Sequence, residues 1–228
     1  MIGTAGTHSL LQEVQAGGFL VSRDMLSIGS KFGRRRAVFL DRDGTIAHYR
    51  EYCRQPRDFR LLPGVGEAIC RLNEAGLLVI VVTNQSAIGR GWLTRQTLEE
   101  IHHKMRRQLR RSGARLDAIY VCPHHPDNGC SCRKPNAAMF QHAAATFRLS
   151  LRRCYAVGDR LLDVLAGRTV GARTVLVRSG HTLEAASGVK PDHEAANLVE
   201  ASMWVLKQEI VRAQTISRRA TTESAMAS

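Results

Sequence analysis

Residues 122–134 read Cys-Pro-His-His-Pro-Asp-Asn-Gly-Cys-Ser-Cys-Arg-Lys, and they hold three of the six cysteines and two of the nine histidines. In an extended segment residues i and i+2 point the same way. Cys122 and His124 therefore converge from one arm, and Cys130 and Cys132 from the other. Four such ligands suit a closed tetrahedral Zn²⁺ site, which is structural and not reactive. Its task is to fold a loop, and that loop delivers Arg133 and Lys134. His125 competes with His124, but the spacing from Cys122 favours His124.

Four shorter clusters carry oxygen and nitrogen chemistry. Asp41-Arg42-Asp43-Gly44-Thr45 places two carboxylates two residues apart, with a glycine that permits a sharp turn and close backbone approach. Its bland alternative is a solvated turn. Thr83-Asn84-Gln85-Ser86 offers hydroxyl, amide and backbone donors for phosphate oxygens, although polar residues routinely follow strands. In Arg133-Lys134-Pro135 the lysine is a point charge for a phosphoryl group and the arginine a planar fork. Gly158-Asp159-Arg160-Leu161-Leu162-Asp163 supplies a carboxylate that completes an oxygen site for Mg²⁺. Asp159 also reads as a helix N-cap, and Asp163 either assists the metal or caps the following helix.

The elements that must position these groups follow from the apolar pattern. Short apolar runs at Ala37–Leu40, Leu77–Val82, Ala118–Val121, Cys154–Val157 and Thr174–Val177 predict strands. Between them, helical spacing covers Gly64–Ala75, Thr94–Arg111, Asn136–Phe147 and Leu161–Val170, with a later helix at Leu198–Ala213. In the second of these Thr94 is the expected N-cap, and Leu98, Ile101, Met105 and Leu109 form the apolar stripe. Strands alternating with helices predict an α/β fold, a three-layer Rossmann-like parallel sheet. Such sheets bind ligands beyond the carboxyl ends of their strands, where every cluster above falls. Residues 1–33 are expected to be an irregular extension, 34–214 the folded domain, and 215–228 a flexible tail. Met25 is a second candidate start of translation.

The chain of 228 residues has room for one sizeable domain, with 44% apolar and 23% charged residues. No apolar run is long enough for a transmembrane helix, and no secretory signal is evident. The cysteine pattern fits metal binding in a reducing cytosol better than a disulfide scaffold. The net charge of +13 is either a solvated basic surface or an attraction for a polyanion or a phosphorylated substrate. Cys53, Cys70 and Cys154 read as spare or core thiols, and His102, His103 and His142 as helix-surface residues.

Taken in this order, the motifs of residues 36–180 resemble the haloacid dehalogenase superfamily of phosphatases. The resemblance implies that Asp41 is the nucleophile, Asp43 the general acid/base, and Thr83 and Lys134 the groups on the equatorial oxygens. It assigns Mg²⁺ to Asp41, Asp43 (through its backbone carbonyl) and Asp159. Neither inter-strand gap has room for a cap domain, so the expected form is capless, with the zinc-bound loop beside an open site. Within the superfamily the chain is similar to two capless subgroups, the D-glycero-D-manno-heptose-1,7-bisphosphate 7-phosphatases and the histidinol-phosphate phosphatases. The run Thr83-Asn-Gln-Ser-Ala-Ile-Gly-Arg-Gly-Trp92 and the Cys-Pro-His-His-Pro loop favour the heptose group. That likeness implies substrate contacts at Tyr49, Arg50, Glu51, Tyr52, Thr83, Asn84, Gln85, Ser86, Arg133, Lys134 and Arg160. It also implies a role in carbohydrate metabolism that feeds lipopolysaccharide. Polynucleotide 3′-phosphatases share the first two motifs and form a second alternative, although their resemblance lacks the Cys/His loop. The expected partner is a small phosphorylated sugar, with no nucleic acid and no membrane, on a cytoplasmic monomer.

Overall fold

A computed structural model of the chain describes residues 11–14, 17–23, 35–49, 52–180 and 188–226. Eight strands form one sheet in the order β1-β2-β5-β4-β3-β6-β7-β8. The strands are β1 Gln12–Val14, β2 Phe19–Arg23, β3 Ala37–Leu40, β4 Leu78–Asn84, β5 Ala118–Cys122, β6 Tyr155–Gly158, β7 Arg173–Val177 and β8 His193–Ala195. From β5 through β8 every pairing is parallel. Chain order runs outward from β3 to β4 and β5, then crosses to β6 on the other side of β3. That reversal creates the crevice in which open α/β sheets bind ligands.

Residues of period two divide each strand between two cores. Val38 and Leu40 of β3, with Val79 and Val81 of β4, face α1 Val65–Glu74, α3 Arg95–Arg110 and α6 Leu198–Met226. Ala37 and Phe39, with Leu78, Ile80 and Val82, face α4 Ala138–Phe147 and α5 Leu161–Thr169. A sheet covered on both faces makes three layers, which is why its strands read as unbroken apolar runs. Thr94 caps α3 as its position implied, its Oγ1 accepting the Thr97 N–H at 3.0 Å. Leu98, Ile101, Met105 and Leu109 are fully buried. Among the described residues, the chain between β3 and β4 holds α1, and that between β4 and β5 holds the short α2 Ser86–Gly89 and α3. No helix among the described residues is long and apolar enough to cross a membrane.

Two expectations for the ends of the chain are corrected. The N-terminal extension is not irregular throughout: β1 and β2 form an antiparallel hairpin, and β2 pairs antiparallel with β5. The Gly17-Gly18 pair is a turn signal, and both glycines have positive φ. At the other end α6 does not stop near Ala213 but runs on to Met226. No glycine or proline follows Pro191 to break it. Strand β8, beside β7, was also missed. It is fixed by Asp192, whose Oδ2 accepts from Thr174 N at 2.7 Å and Thr174 Oγ1 at 2.9 Å.

Candidate active site

Four strand ends meet at one mouth: β3 leads into Asp41, β4 ends at Asn84, β5 at Cys122 and β6 at Gly158. A cleft of about 330 Å³ opens there, and its walls include Asp41, Asp43, Thr83, Arg133, Lys134 and Arg160. That volume lies at the lower end of the range for small-molecule sites, about 300–1,000 Å³.

Lys134 is the hub of the site, although it is only 3% exposed. Its ammonium lies 2.7 Å from Asp41 Oδ1 and 2.6 Å from Asp163 Oδ1, and it donates to the Val82 carbonyl at 2.6 Å. Burial alone lowers an amine's pKa, but Asp163 and Asp41 outweigh it and hold Lys134 raised, as a cation. Asn84 fixes the lysine's backbone, with Oδ1 accepting the Lys134 N–H at 3.1 Å and Nδ2 donating to the Lys134 carbonyl at 3.2 Å. Asp163 is pushed up to about 6, by burial first and against the pull of Lys134. Its Oδ2 accepts the Arg160 N–H at 3.1 Å, which caps α5. The sequence left Asp163 between a cap and a site residue; geometrically it caps and also faces Lys134.

Asp41, Asp159 and Asp163 each offer an oxygen, and these atoms lie within 4.8 Å of one another. The cradle is tight. Gly44, at φ +86°, stands where a Cβ would fall 2.2 Å from Asp159 Oδ2, and a Cβ on Gly180 would fall 2.0 Å from the same atom. Three carboxylates, closely walled and all oxygen, fit a hard cation such as Mg²⁺.

Asp43 turns away from this cluster onto a second network. Arg42, 0% exposed, donates from Nη2 to Asp43 Oδ2 at 2.6 Å and to Gln85 Oε1 at 2.9 Å, and from Nε to both Asp43 oxygens at 3.1 Å. Gln85 Nε2 donates to Asp43 Oδ2 and to Thr83 Oγ1, each at 2.9 Å. Gln85 lines the cleft as expected. Yet its amide is occupied by Arg42, Asp43 and Thr83, and its backbone N–H donates to the Cys122 carbonyl at 2.8 Å. It therefore orients Asp43 and Thr83 and has no donor to spare for a ligand. Behind Arg42 stands His102, 3.5 Å from Arg42 Nη1 through Nε2. The surface expectation for His102 is wrong: it is 3% exposed. Burial, then Arg42, Arg106 and His103, drive its pKa well below 6.5, so it is neutral. Its place among Leu98, Ile101 and Met105 on the apolar stripe was the available signal. Arg42 gave no signal of this kind.

The Cys/His loop gathers Cys122, His124, Cys130 and Cys132 into one set. Cys122 Sγ lies 3.6 Å from Cys130 Sγ and 3.7 Å from His124 Nδ1. Cys132 Sγ lies 3.6 Å from Cys130 Sγ and 3.2 Å from His124 Nδ1. A zinc tetrahedron with Zn–S of about 2.3 Å and Zn–N of about 2.0 Å has edges of about 3.5–3.8 Å; three of the four separations match, His124 to Cys132 at 3.2 Å is shorter, and the donor set suits the ion. The hydrogen bond with Cys132, above all, pushes the Cys122 thiol down to about 5, while Cys132 rises. His125 stands aside, with its Nδ1 accepting the Asp127 N–H at 3.3 Å. Of the other thiols, Cys154 is core, accepting the Ala37 N–H at 3.3 Å, and burial pushes it up to about 11.

The expected substrate contacts divide. Arg133, Arg160, Tyr49, Tyr52 and Ser86 line the cleft, whereas Arg50 and Glu51 lie outside the described residues. Arg133 Nη1 and Arg90 Nε are buried without a hydrogen-bond acceptor among the described residues. Arg90 was not anticipated, and it stacks at 5.1 Å over Trp92. Trp92 also meets Tyr52 edge-on at 4.8 Å and carries Arg54 at 4.9 Å. The rim of the cleft is thus cationic and aromatic, and its floor is carboxylate with one buried ammonium.

A family model described as HAD-hydrolase-like matches residues 131–201. A D-glycero-beta-D-manno-heptose-1,7-bisphosphate 7-phosphatase of Haemophilus ducreyi is 40% identical over 179 residues, spanning 75% of this chain and 98% of that protein. Its counterpart in Bordetella bronchiseptica is 40% identical over 147 residues, 64% of this chain and 82% of that protein. Among solved structures, a B. bronchiseptica D,D-heptose 1,7-bisphosphate phosphatase complexed with magnesium and phosphate superposes with a TM-score of 0.69. It is 33% identical and covers 76% of this chain and 99% of its own. A putative HAD-like phosphatase from Mesorhizobium loti reaches a TM-score of 0.71 at 29% identity, covering 89% of this chain and 97% of its own.

Proposed function

Because this chain belongs to the D-glycero-beta-D-manno-heptose-1,7-bisphosphate 7-phosphatase family, we propose that it hydrolyses the 7-phosphate of D-glycero-D-manno-heptose 1,7-bisphosphate through an aspartyl-phosphate. The observation that carries the reading is the Lys134 ammonium set between Asp41 and Asp163, with Asp43 held beside them by Arg42 and Gln85.

Asp41 attacks phosphorus, its carboxylate oxygen forming the new P–O bond as the ester P–O bond breaks. The leaving alkoxide takes its proton from Asp43. Water then gives a proton to Asp43 and attacks the phosphorus of the aspartyl-phosphate, which releases phosphate and restores Asp41. Lys134 and the Thr83 hydroxyl hold the equatorial oxygens while their charge grows. Arg42 and Gln85 keep the Asp43 carboxylate in one orientation through both proton transfers. Asp41, Asp159, Asp163 and the Asp43 carbonyl would hold Mg²⁺, and the chemistry supplied there is neutralisation of charge between carboxylates and phosphoryl oxygens.

At the rim, Arg133, Arg90 and Arg160 meet the distal phosphate, with Tyr49 and Tyr52 against the sugar. The buried, unpartnered nitrogens of Arg133 and Arg90 support this reading, because a guanidinium donor left without an acceptor is costly until an anion arrives. Zinc in the Cys122, His124, Cys130, Cys132 set folds the loop that carries Arg133. With α1 between β3 and β4, and α2 and α3 between β4 and β5, among the described residues, the enzyme is capless, and short loops select the substrate. The catalytic groups lie within residues 34–214, and the enzyme acts as a cytoplasmic monomer; six cysteines without a disulfide fit a reducing compartment.

The test is phosphate release in Mg²⁺ from both anomers of the heptose bisphosphate, fructose bisphosphate, histidinol phosphate and a 3′-phosphorylated DNA end. The heptose bisphosphate is expected to give the highest kcat/KM. Turnover of the DNA end or of histidinol phosphate alone overturns the proposal.

A further inference from the structure

The Cys/His loop is gripped from two sides. On one side stands α2: a Cβ on Gly89 would fall 2.4 Å from the backbone nitrogen of His125, and the Gly89 N–H donates to the Pro123 carbonyl at 2.8 Å. On the other stands the N-terminal hairpin. Strand β2 pairs with β5 from Arg23↔Ala118 to Leu20↔Val121, up to the residue before Cys122. Phe19, 1% exposed, belongs to the same buried cluster as Cys122 and Cys132. Its ring lies 5.9 Å from that of Tyr120 and 5.2 Å from that of His142. Gly18 precedes it at φ +62°, where a Cβ would fall 3.1 Å from both Cε1 and Nε2 of His124. That is the Cε1–Nε2 edge, next to Nδ1, the atom that faces the sulfurs.

The hairpin is not carried by the loop; it is anchored to α3 and the sheet. Arg106, 5% exposed, donates from Nη2 to Ser22 O at 3.3 Å and Ser22 Oγ at 3.2 Å, and from Nη1 to the Leu116 carbonyl at 2.9 Å. Glu13 pairs with Arg95 at 2.9 Å, and the Leu11 N–H donates to Glu99 Oε1 at 2.8 Å.

We propose that the N-terminal hairpin is a retaining wall for the metal of the Cys/His set. It stops the His124 ring from turning away, and it shuts solvent off from Cys122 and Cys132. The inference rests on the reading of these four residues as zinc ligands. A tetrahedral site loses its ion one ligand at a time, and the half-buried His124 is the arm whose outer edge needs a backstop. The groups around a metal's ligands orient them and govern solvent access, and their loss typically weakens binding by about 10–100-fold.

The experiment measures zinc release from the full-length, zinc-loaded protein to 4-(2-pyridylazo)resorcinol. Gly18→Val crowds the His124 ring and strains a positive-φ turn. Gly76→Val imposes the same backbone strain at φ +76°, where a Cβ meets nothing within 4 Å. We expect Gly18→Val to release zinc at least about tenfold faster than the parent, and Gly76→Val to match the parent. Should Gly18→Val fail to fold, Phe19→Leu, which withdraws the ring from Tyr120 and His142, is expected to release zinc faster as well. Equal release from the parent and the hairpin variants, or equally fast release from Gly76→Val, overturns the inference while leaving the zinc reading intact. A parent that retains no stoichiometric zinc overturns both.

Discussion

Arg42 Nη2 lies 2.6 Å from Asp43 Oδ2, and the guanidinium that makes this contact is completely buried. One side chain of a motif thus orients the next, and it does so with a fork that also reaches Gln85. Lysine carries the charge without the fork. A well-placed acid/base contributes about 10²–10⁴-fold to a rate. In Arg42→Lys we expect kcat to fall by about tenfold to a hundredfold with little change in KM, read by steady-state kinetics on the heptose bisphosphate. A rise in KM alone would remove Arg42 from the orientation of Asp43.

Asp41→Asn keeps the size of the side chain and removes the nucleophile. The variant is expected to fold, since the Lys134 ammonium retains Asp163 and the Val82 carbonyl. Acid-quenched protein should carry no phosphoryl label, whereas the parent should carry an acid-stable, base-labile one. A labelled Asp41→Asn protein would assign the covalent step to another residue.

Arg133 and Lys134 are neighbours with different supports. Lys134 is tied to Asn84, Val82, Asp41 and Asp163, all outside the Cys/His loop. Arg133 Nη1 has no acceptor among the described residues. Arg133→Ala should therefore raise KM more than it lowers kcat. Removing zinc with a chelator, with Mg²⁺ replenished, should do the same and should still allow formation of the aspartyl-phosphate. Equal losses in kcat and kcat/KM would place Arg133 in the transition state instead.

His102 is held neutral with a pKa well below 6.5 by burial and by Arg42, Arg106 and His103. The unfolded chain binds a proton below pH 6.5 that the folded chain refuses, so this group makes stability fall as the pH drops from 7. At pH 5 the effect reaches at most about 2 kcal/mol for a histidine of ordinary pKa 6.5. His102→Gln should flatten that part of the pH dependence, measured as urea-unfolding free energies at pH 5, 6 and 7. An unchanged slope between the two proteins would show that His102 takes up a proton in the folded state.

Some of this site was legible from the sequence because of where apolar runs stop. Asp41, Thr83 and Gly158 each follow or end an apolar run, and parallel strands must expose their carboxyl ends to a common crevice. Within the Cys/His set, the pairing of Cys122 with His124 and of Cys130 with Cys132 was legible from period two. Arg42 was not, because arginine is among the residues least often buried, and only its contacts with Asp43 and Gln85 explain its place. The inward turn of Gln85 was hidden for the same reason: a sequence gives a polar residue its position but not its partners. The hairpin escaped because glycines within a polar stretch read as loop unless the flanking runs are paired with β5, a contact that spans nearly a hundred residues. The length of α6 escaped because helix propensity is a weak prior once the apolar stripe ends.

Among the described residues the eight-stranded sheet has two borders, and each is a strand of only three residues. β1 presents Gln12, Glu13 and Val14, and β8 presents His193, Glu194 and Ala195, so each border carries an acid. Long flat borders recruit strands from other molecules, whereas short charged ones do not. The long, apolar β4 and β5 lie well inside these borders, shielded from intermolecular pairing. Loss of β1 and β2 would turn β5 into a border of five buried residues and open a route to self-association.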